Sequence, residues 1–163
     1  AMTRYSVTDL LGDLAVDSAK LKAERVFRIQ INDVNIRLKM LENNEMDALL
    51  MTEPQAAQAR LLKHKAILDT RNLDLQMGAI VVRSKGMDDI SRKKQMAAFV
   101  KGYNTACDTI NANGVAKYRD LVMKYCGVKR EAVDTIPKNL KFNHVAKPRE
   151  KDIERAQKWL SKK

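Results

Sequence analysis

The chain has 163 residues, 45% of them hydrophobic and only 5% aromatic, and its 31 basic and 20 acidic residues give a net charge of +11. This length suits one domain with an appendage rather than two domains. No apolar run reaches the roughly 18 residues that a membrane span requires, and the first residues lack the basic-then-apolar pattern of a secretion signal. We therefore expect no membrane span and a cytoplasmic protein, in the host cytoplasm if the protein is viral.

The excess of positive charge is distributed unevenly along the chain. Residues 1–53 carry a net charge of −2, residues 54–100 carry +5 and residues 101–163 carry +8. This polarity indicates an anionic partner at the C-terminal end: nucleic acid, an acidic protein or a membrane surface. The alternative is a solvated basic surface that serves solubility alone.

The first predicted elements are a helix and a β-hairpin. Ser6 followed by Asp9 resembles a helix N-cap with a reciprocal acidic residue, so a helix is expected over about 7–22. Two alternating runs then flank Asn32-Asp33 within residues 25–40, and a tight turn there would place six apolar side chains on one face. The sequence thus predicts an antiparallel pair of strands, at about 25–31 and 34–40.

The middle of the chain is predicted to be helical. Apolar residues that recur about every seven positions favour a long helix over about 54–83. The next apolar stripe is the clearest in the chain and predicts a helix over 88–112, closed by Asn113-Gly114. A shorter helix is expected over 115–126. The apolar residues of the clearest stripe are Met96, Phe99, Val100, Tyr103, Cys107 and Ile110.

Beyond Gly127 the apolar period is lost and two prolines, Pro137 and Pro148, interrupt any helix. Residues 128–163 hold 11 basic and 5 acidic residues, which is typical of an arm laid on a surface. A last amphipathic helix begins at Pro148 and carries the single tryptophan of the chain. The alternative for this tryptophan is that it docks the helix back on the same subunit. The residues predicted to bind the partner are Trp159, Leu160, Lys129, Arg130, Lys138, Lys141 and Arg149.

These elements predict a mainly α fold with one β-hairpin, of the α+β class. A helical bundle or array would pack on the two-stranded antiparallel hairpin, and a basic C-terminal arm would end in a short helix. Residues 1–127 would form a single helical domain with the hairpin at 25–40, and residues 128–163 would form the arm. Because a lone hairpin leaves both edges unpaired, we also expect a homodimer or a higher oligomer.

Residues able to carry catalysis are scarce. The chain has two histidines, His64 and His144, and two cysteines, Cys107 and Cys126, none at metal-ligand spacing. The glycines form no phosphate-binding loop, and no nucleophile motif is found. We predict no catalytic residue, no metal site and no cofactor, and hence a protein that is not an enzyme.

One resemblance concerns residues 24–50. A short helix, the alternating stretch from Arg25 to Met40 and the sequence Leu41-Glu-Asn-Asn-Glu-Met-Asp47 at the start of a helical region resemble small tail assembly chaperones of long-tailed phages. The resemblance implies a helical chaperone that coats an unassembled tape-measure protein. The basic C-terminal half and the tryptophan-bearing helix depart from that family.

Two classes of function follow. The first is a non-enzymatic protein–protein interaction module, such as a viral assembly factor, a chaperone or an inhibitor, that acts by binding a partner through the hairpin edge and amphipathic helices. The second is a nucleic-acid-binding protein that contacts phosphates through the basic C-terminal half. No recognition-helix motif supports sequence-specific reading.

Overall fold

The structure is a computed structural model that describes residues 1–71 and 73–163. About 53% of the chain is helical, and the described residues contain no β-strand. Three single turns of 3₁₀-helix accompany the α-helices, at Ala23–Arg25, Ser84–Met87 and Val115–Tyr118. The α-helices of the described chain are α1 (Val7–Ser18), α2 (Val34–Glu42), α3 (Gln55–Leu61), α4 (Ile90–Asn113), α5 (Arg119–Cys126), α6 (Arg130–Asp134) and α7 (Glu150–Leu160).

The predicted β-hairpin at 25–40 is wrong, and with it the α+β class: the fold is mainly α. Asp33, expected in the turn, is instead the N-cap of α2, where its carboxylate accepts hydrogen bonds from the backbone N–H groups of Asn35 (2.7 Å) and Ile36 (3.2 Å). Capping of this kind stabilises a helix start, whereas an isolated two-stranded hairpin is marginal in water. Ile29 and Ile36, predicted to face each other in the core, are 49% and 51% exposed.

Only the first half of the predicted hairpin is extended. There Gln30 forms an isolated parallel bridge with Met2. The bridge consists of hydrogen bonds from Met2 N–H to the Ile29 carbonyl and from Ile31 N–H to the Met2 carbonyl, both 3.1 Å. The alternating pattern therefore indicates a β-type contact at Gln30. The segment that Gln30 pairs with is the start of the chain, at Met2, and not residues 34–40.

The other predicted helices have mixed outcomes. Those expected over 7–22, 88–112 and 115–126 are confirmed as α1, α4 and α5. The long helix expected over 54–83 is wrong, because α3 ends at Leu61 and the described residues from 64 to 83 form neither helix nor strand. Gly78 and the β-branched residues at 80–82 are weak helix formers, which agrees with this result.

The main core lies where α3, α5 and α6 meet. Ala57 on α3 and Ala132 on α6 are both fully buried, which lets these two short helices approach closely. Two glutamines of α3 reinforce the contact: Gln55 donates to the Cys126 carbonyl and Gln58 accepts from the Lys129 N–H, each at 3.0 Å. The buried members of the core are Ala57, Val128, Ala132, Val133 and Ile136.

A buried arginine organises the N-terminal part of the chain. Arg37 on α2 is 5% exposed, and its guanidinium donates to the Leu50 carbonyl (2.6 Å), the Thr3 hydroxyl (3.2 Å) and the Asn32 carbonyl (3.3 Å). One side chain thus joins three separate segments. Burial lowers the pKa of Arg37, and the charge of Asp33 acts in the opposite direction.

The substitution Arg37→Met should reduce the free energy of unfolding by about 2–4 kcal/mol. The three oxygen atoms that accept hydrogen bonds from the guanidinium would then lose their donor inside the protein. Urea unfolding followed by circular dichroism measures the change. Lys39→Met, at an exposed position of the same helix, is the control and should stay within about 0.5 kcal/mol of the original chain. Equal losses in both variants would contradict the bridging role of Arg37.

The division into residues 1–127 and 128–163 stays a prediction. The packing of the core nevertheless indicates that residues just after Gly127 are needed for folding. Four of the five buried members of the core lie beyond Gly127. A chain ending at Gly127 should therefore lose its cooperative thermal transition, whereas one ending at Lys147, which keeps α6, should retain it. Calorimetry of both truncations distinguishes these outcomes. A cooperative transition in the shorter chain would show that α6 is dispensable for folding.

Candidate partner-binding surfaces

The described chain exposes more surface than a compact monomer of its mass. Its accessible surface is 12,249 Å², whereas the usual scaling for a folded monomer of 18.5 kDa gives about 8,200 Å². Many large hydrophobic side chains are more than a third exposed, and they contribute apolar area to this surface. Surfaces of this kind mark interaction sites in soluble proteins.

The longest helix, α4, contributes one of these surfaces. The spacing of its apolar residues predicts a core-facing stripe, yet Cys107 is its only buried residue. Phe99 is 51% exposed and Tyr103 is 40% exposed, and their rings lie 6.4 Å apart between centroids. The stripe is thus present but only partly covered.

A groove of about 530 Å³ lies at the N-terminal half of α4. One wall comes from α4 and the other from the segment that precedes it. Two arginines, Arg83 and Arg92, line the groove beside its apolar residues. Neither arginine forms an ion pair with any residue that the structure describes. The lining residues are Val82, Arg83, Met87, Arg92, Gln95, Met96 and Phe99. Apolar walls next to unpaired guanidinium groups suit an apolar side chain flanked by a carboxylate.

The seven residues predicted to bind a partner occupy different environments. Lys129, Lys138 and Lys141 are exposed and form no ion pair within the described residues. Arg130 pairs with Asp120 at 3.1 Å, and Leu160 is 46% exposed. The other two, Arg149 and Trp159, are half-buried and held by acidic residues from earlier in the chain.

Trp159 docks α7 on α1, which is the alternative that the sequence left open. Its indole Nε1–H donates to the Asp13 carboxylate at 2.6 Å. The Lys163 ammonium lies 2.7 Å from the same carboxylate and 5.1 Å from the centre of the indole ring. Arg28 also forms an ion pair with Asp13. The neighbouring carboxylate of Asp9 is buried and forms ion pairs with Arg28 at 3.5 Å and with Lys163 at 3.4 Å.

These contacts keep Asp13 ionised. Partial burial alone would raise its pKa, but hydrogen bonds from Lys163, Trp159 and Arg28 outweigh that effect and lower the pKa to about 2. The contacts of Asp13 therefore depend on pH only in strongly acidic solution.

A second acidic residue, Asp74, holds the other end of α7. Its carboxylate pairs with Lys151 and Arg149, and its carbonyl accepts from Arg155 at 3.2 Å. The hydrogen bonds from Lys151 and Arg149 lower the pKa of Asp74 to about 2. Arg149 also bonds the buried carboxylate of Asp152 at 2.6 Å.

The sequence interpretation missed Asp13, Asp74 and the α4 groove. One signal was available for the first: Asp9 and Asp13 are four residues apart on the predicted helix, and like charges at this spacing are unfavourable unless basic groups lie nearby. No comparable signal marks Asp74 or the groove, because both depend on the path of the connection between α3 and α4.

Other kinds of site are not seen in the described part of the chain. Residues 1–71 and 73–163 contain no group of three or more histidine, cysteine, aspartate or glutamate side chains placed to hold a metal ion. None of the described helices has the length and apolarity required to cross a membrane. No family model, curated protein or solved structure matches the chain.

The docking of α7 should respond to acid through Asp13. A carboxyl group whose pKa is lowered on folding stabilises the folded state above its unfolded pKa of about 3.9, and this contribution is lost as the pH falls towards the folded value of about 2. The tryptophan emission of the original chain should therefore change between about pH 4 and pH 2. Asp13→Asn should weaken this transition, whereas Asp17→Asn, at an exposed position of α1, should leave it in place. Identical acid titrations in both variants would exclude Asp13 as the titrating group.

Proposed function

We propose that this protein is a non-enzymatic protein–protein interaction module that binds an apolar, acidic segment of a partner protein in the α4 groove. The observation that supports the proposal most directly is the partly uncovered apolar face of α4 with Arg83 and Arg92 beside it. A helix-in-groove complex would cover this face and would place carboxylates next to the two guanidinium groups.

The charge of α4 favours a different protein over a second copy of this chain. The helix carries four basic residues, Arg92, Lys93, Lys94 and Lys101, and one acidic residue, Asp108. Two copies paired along this helix would bring like charges together, whereas an acidic partner would be attracted.

The homodimer predicted from the sequence remains a competing proposal. Light scattering that gives 18.5 kDa over a wide concentration range would exclude it.

The most specific form of this proposal is an assembly factor, chaperone or inhibitor that acts in the cytoplasm. Its mode of action agrees with what the resemblance to phage tail assembly chaperones implies, namely binding to a protein that is not yet assembled. That resemblance included the predicted hairpin, which is absent from the described residues. The proposal therefore depends on the groove and not on the resemblance.

Nucleic-acid binding by the basic C-terminal half is the second proposed function. It is favoured by Lys129, Lys138 and Lys141, which stay exposed and without an ion pair among the described residues. Such binding would be to phosphates and would weaken steeply with salt. Retention on mixed-sequence DNA or RNA at about 0.2 M salt supports this function, and no retention at low salt excludes it.

The groove can be tested with two designed amphipathic peptides that differ only in having glutamate or lysine on the polar face. The glutamate peptide should bind more tightly. Phe99→Ala should weaken its binding roughly tenfold, because the loss of a buried apolar contact is worth on the order of 1.5 kcal/mol. Fluorescence anisotropy of labelled peptides gives both affinities.

Charge in the groove is tested separately with Arg92→Gln. This variant should reduce the preference for the glutamate peptide, while Lys101→Gln, a residue of α4 outside the groove lining, should change it less. Equal preference in the two variants would show that the positive charge of the helix acts without a defined site. Tighter binding of the lysine peptide would contradict an acidic partner.

A further inference from the structure

The last helix is held mainly by charged and polar contacts at its two ends. Near its start Arg149 and Lys151 pair with Asp74, and near its end Trp159 hydrogen-bonds to Asp13. Extensive helix–helix packing of α7 against another helix is not found among the described residues. Its apolar residues Ile153 and Leu160 remain 44% and 46% exposed. Little apolar surface would therefore have to be re-exposed if α7 moved away.

The same contacts neutralise basic groups at the two ends of α7, whose own residues 150–160 carry three basic and three acidic side chains. Asp74 engages Arg149 and Lys151, while Asp9 and Asp13 engage Lys163. The acidic groups come from residues 1–100, and the basic groups belong to the strongly basic region from 128 onwards. A phosphate group would make the same charge-assisted hydrogen bonds that these carboxylates now make.

We propose that Asp13 and Asp74 are internal competitors for a nucleic acid, which binds the basic groups at the two ends of α7 by displacing these two carboxylates. The inference rests on the second proposed function and deepens it, because it names the contacts that limit the affinity. Release of α7 adds Lys151 and Lys163 to the lysines that are already exposed, while Arg149 keeps its contact with Asp152 of the same helix.

The distribution of charge favours a polymer over a membrane surface. The exposed lysines at 129, 138 and 141 precede α7 along the chain, and residues 128–163 together carry 11 basic and 5 acidic side chains. Binding of a helix to a lipid surface scales with the apolar area that it inserts, and the apolar side of α7 is limited to Ile153, Ala156, Trp159 and Leu160. A phosphate backbone needs no such area.

The contacts are accessible enough to be exchanged. The Asp74 side chain is 66% exposed and that of Asp13 is 22% exposed. The ion pairs of Asp74 are exposed, and such pairs contribute little to stability individually and are screened by salt. A polyanion with many phosphates can therefore replace them with an equal or larger number of contacts.

Trp159 is the only tryptophan in the chain, so its fluorescence reports directly on the docking of α7. The test compares the double variant Asp13→Asn with Asp74→Asn to a control double variant, Asp17→Asn with Asp47→Asn. Both change the net charge equally, and the control positions are exposed and form no ion pair with the described residues. Circular dichroism establishes that both variants are folded.

Without ligand, the emission of the Asp13/Asp74 variant should lie at longer wavelength than that of the control, because Trp159 becomes more exposed to water. Its affinity for a mixed-sequence DNA duplex, measured by anisotropy at fixed salt, should exceed that of the control about fivefold or more, the usual lower range for coupled sites. Both results together support internal competition.

Two outcomes overturn the inference in different ways. Equal affinity of all three proteins for the duplex shows that binding occurs without displacement of α7, and the second proposed function then stands alone. No binding of the duplex by any of them at low salt removes that function as well. Binding to phosphatidylserine vesicles in preference to the duplex would replace the nucleic acid with a lipid surface.

Discussion

The contact between α3 and α6 is the constraint on which the rest of the fold depends. It requires small side chains at the point of closest approach, and Ala57 and Ala132 meet that requirement with no exposed surface. The contact joins residues about seventy positions apart, so it closes a long loop that contains α4 and α5. The entropic penalty of closing a loop grows only slowly with the length of the loop. A small core can therefore hold the two ends of the long stretch that contains α4 and α5. Because the core is small, α4 extends beyond it with part of its apolar face uncovered.

The second organising feature is the opposition of charge between the two ends of the chain. Residues 1–53 are slightly acidic and residues 101–163 are strongly basic, and the structure brings the two together at Asp13. This contact reduces the positive field that the basic end would otherwise project. The net charge of +11 therefore overstates what an approaching polyanion meets first, and the pairing state of individual lysines and arginines matters more than their number.

Sequence reasoning succeeded where a helical period was long and failed where it was short. The stripe of α4 repeats over more than four turns, and its helix was predicted within two residues at each end. Helix α6 has five residues, too few to show a period, and it was interpreted as part of an arm although it supplies the core. The alternating stretch at 25–40 satisfied a strand pattern, yet Asp33 is also a strong N-cap, so Val34–Glu42 forms a helix and Gln30 bridges to Met2 instead. The acidic contacts of α7 join residues far apart in sequence and had no local signal beyond the spacing of Asp9 and Asp13.

The segment before α4 connects the two surfaces physically. It contributes Asp74 to the docking of α7 and Val82 and Arg83 to the groove of α4. Between these positions the described residues form no helix or strand whose hydrogen bonds would fix the backbone independently. A peptide bound in the groove and a polyanion bound at α7, as proposed, would therefore both contact residues that this segment joins. Coupling between two binding sites is reciprocal. If the polyanion changes the affinity for the peptide by some factor, the peptide must change the affinity for the polyanion by the same factor.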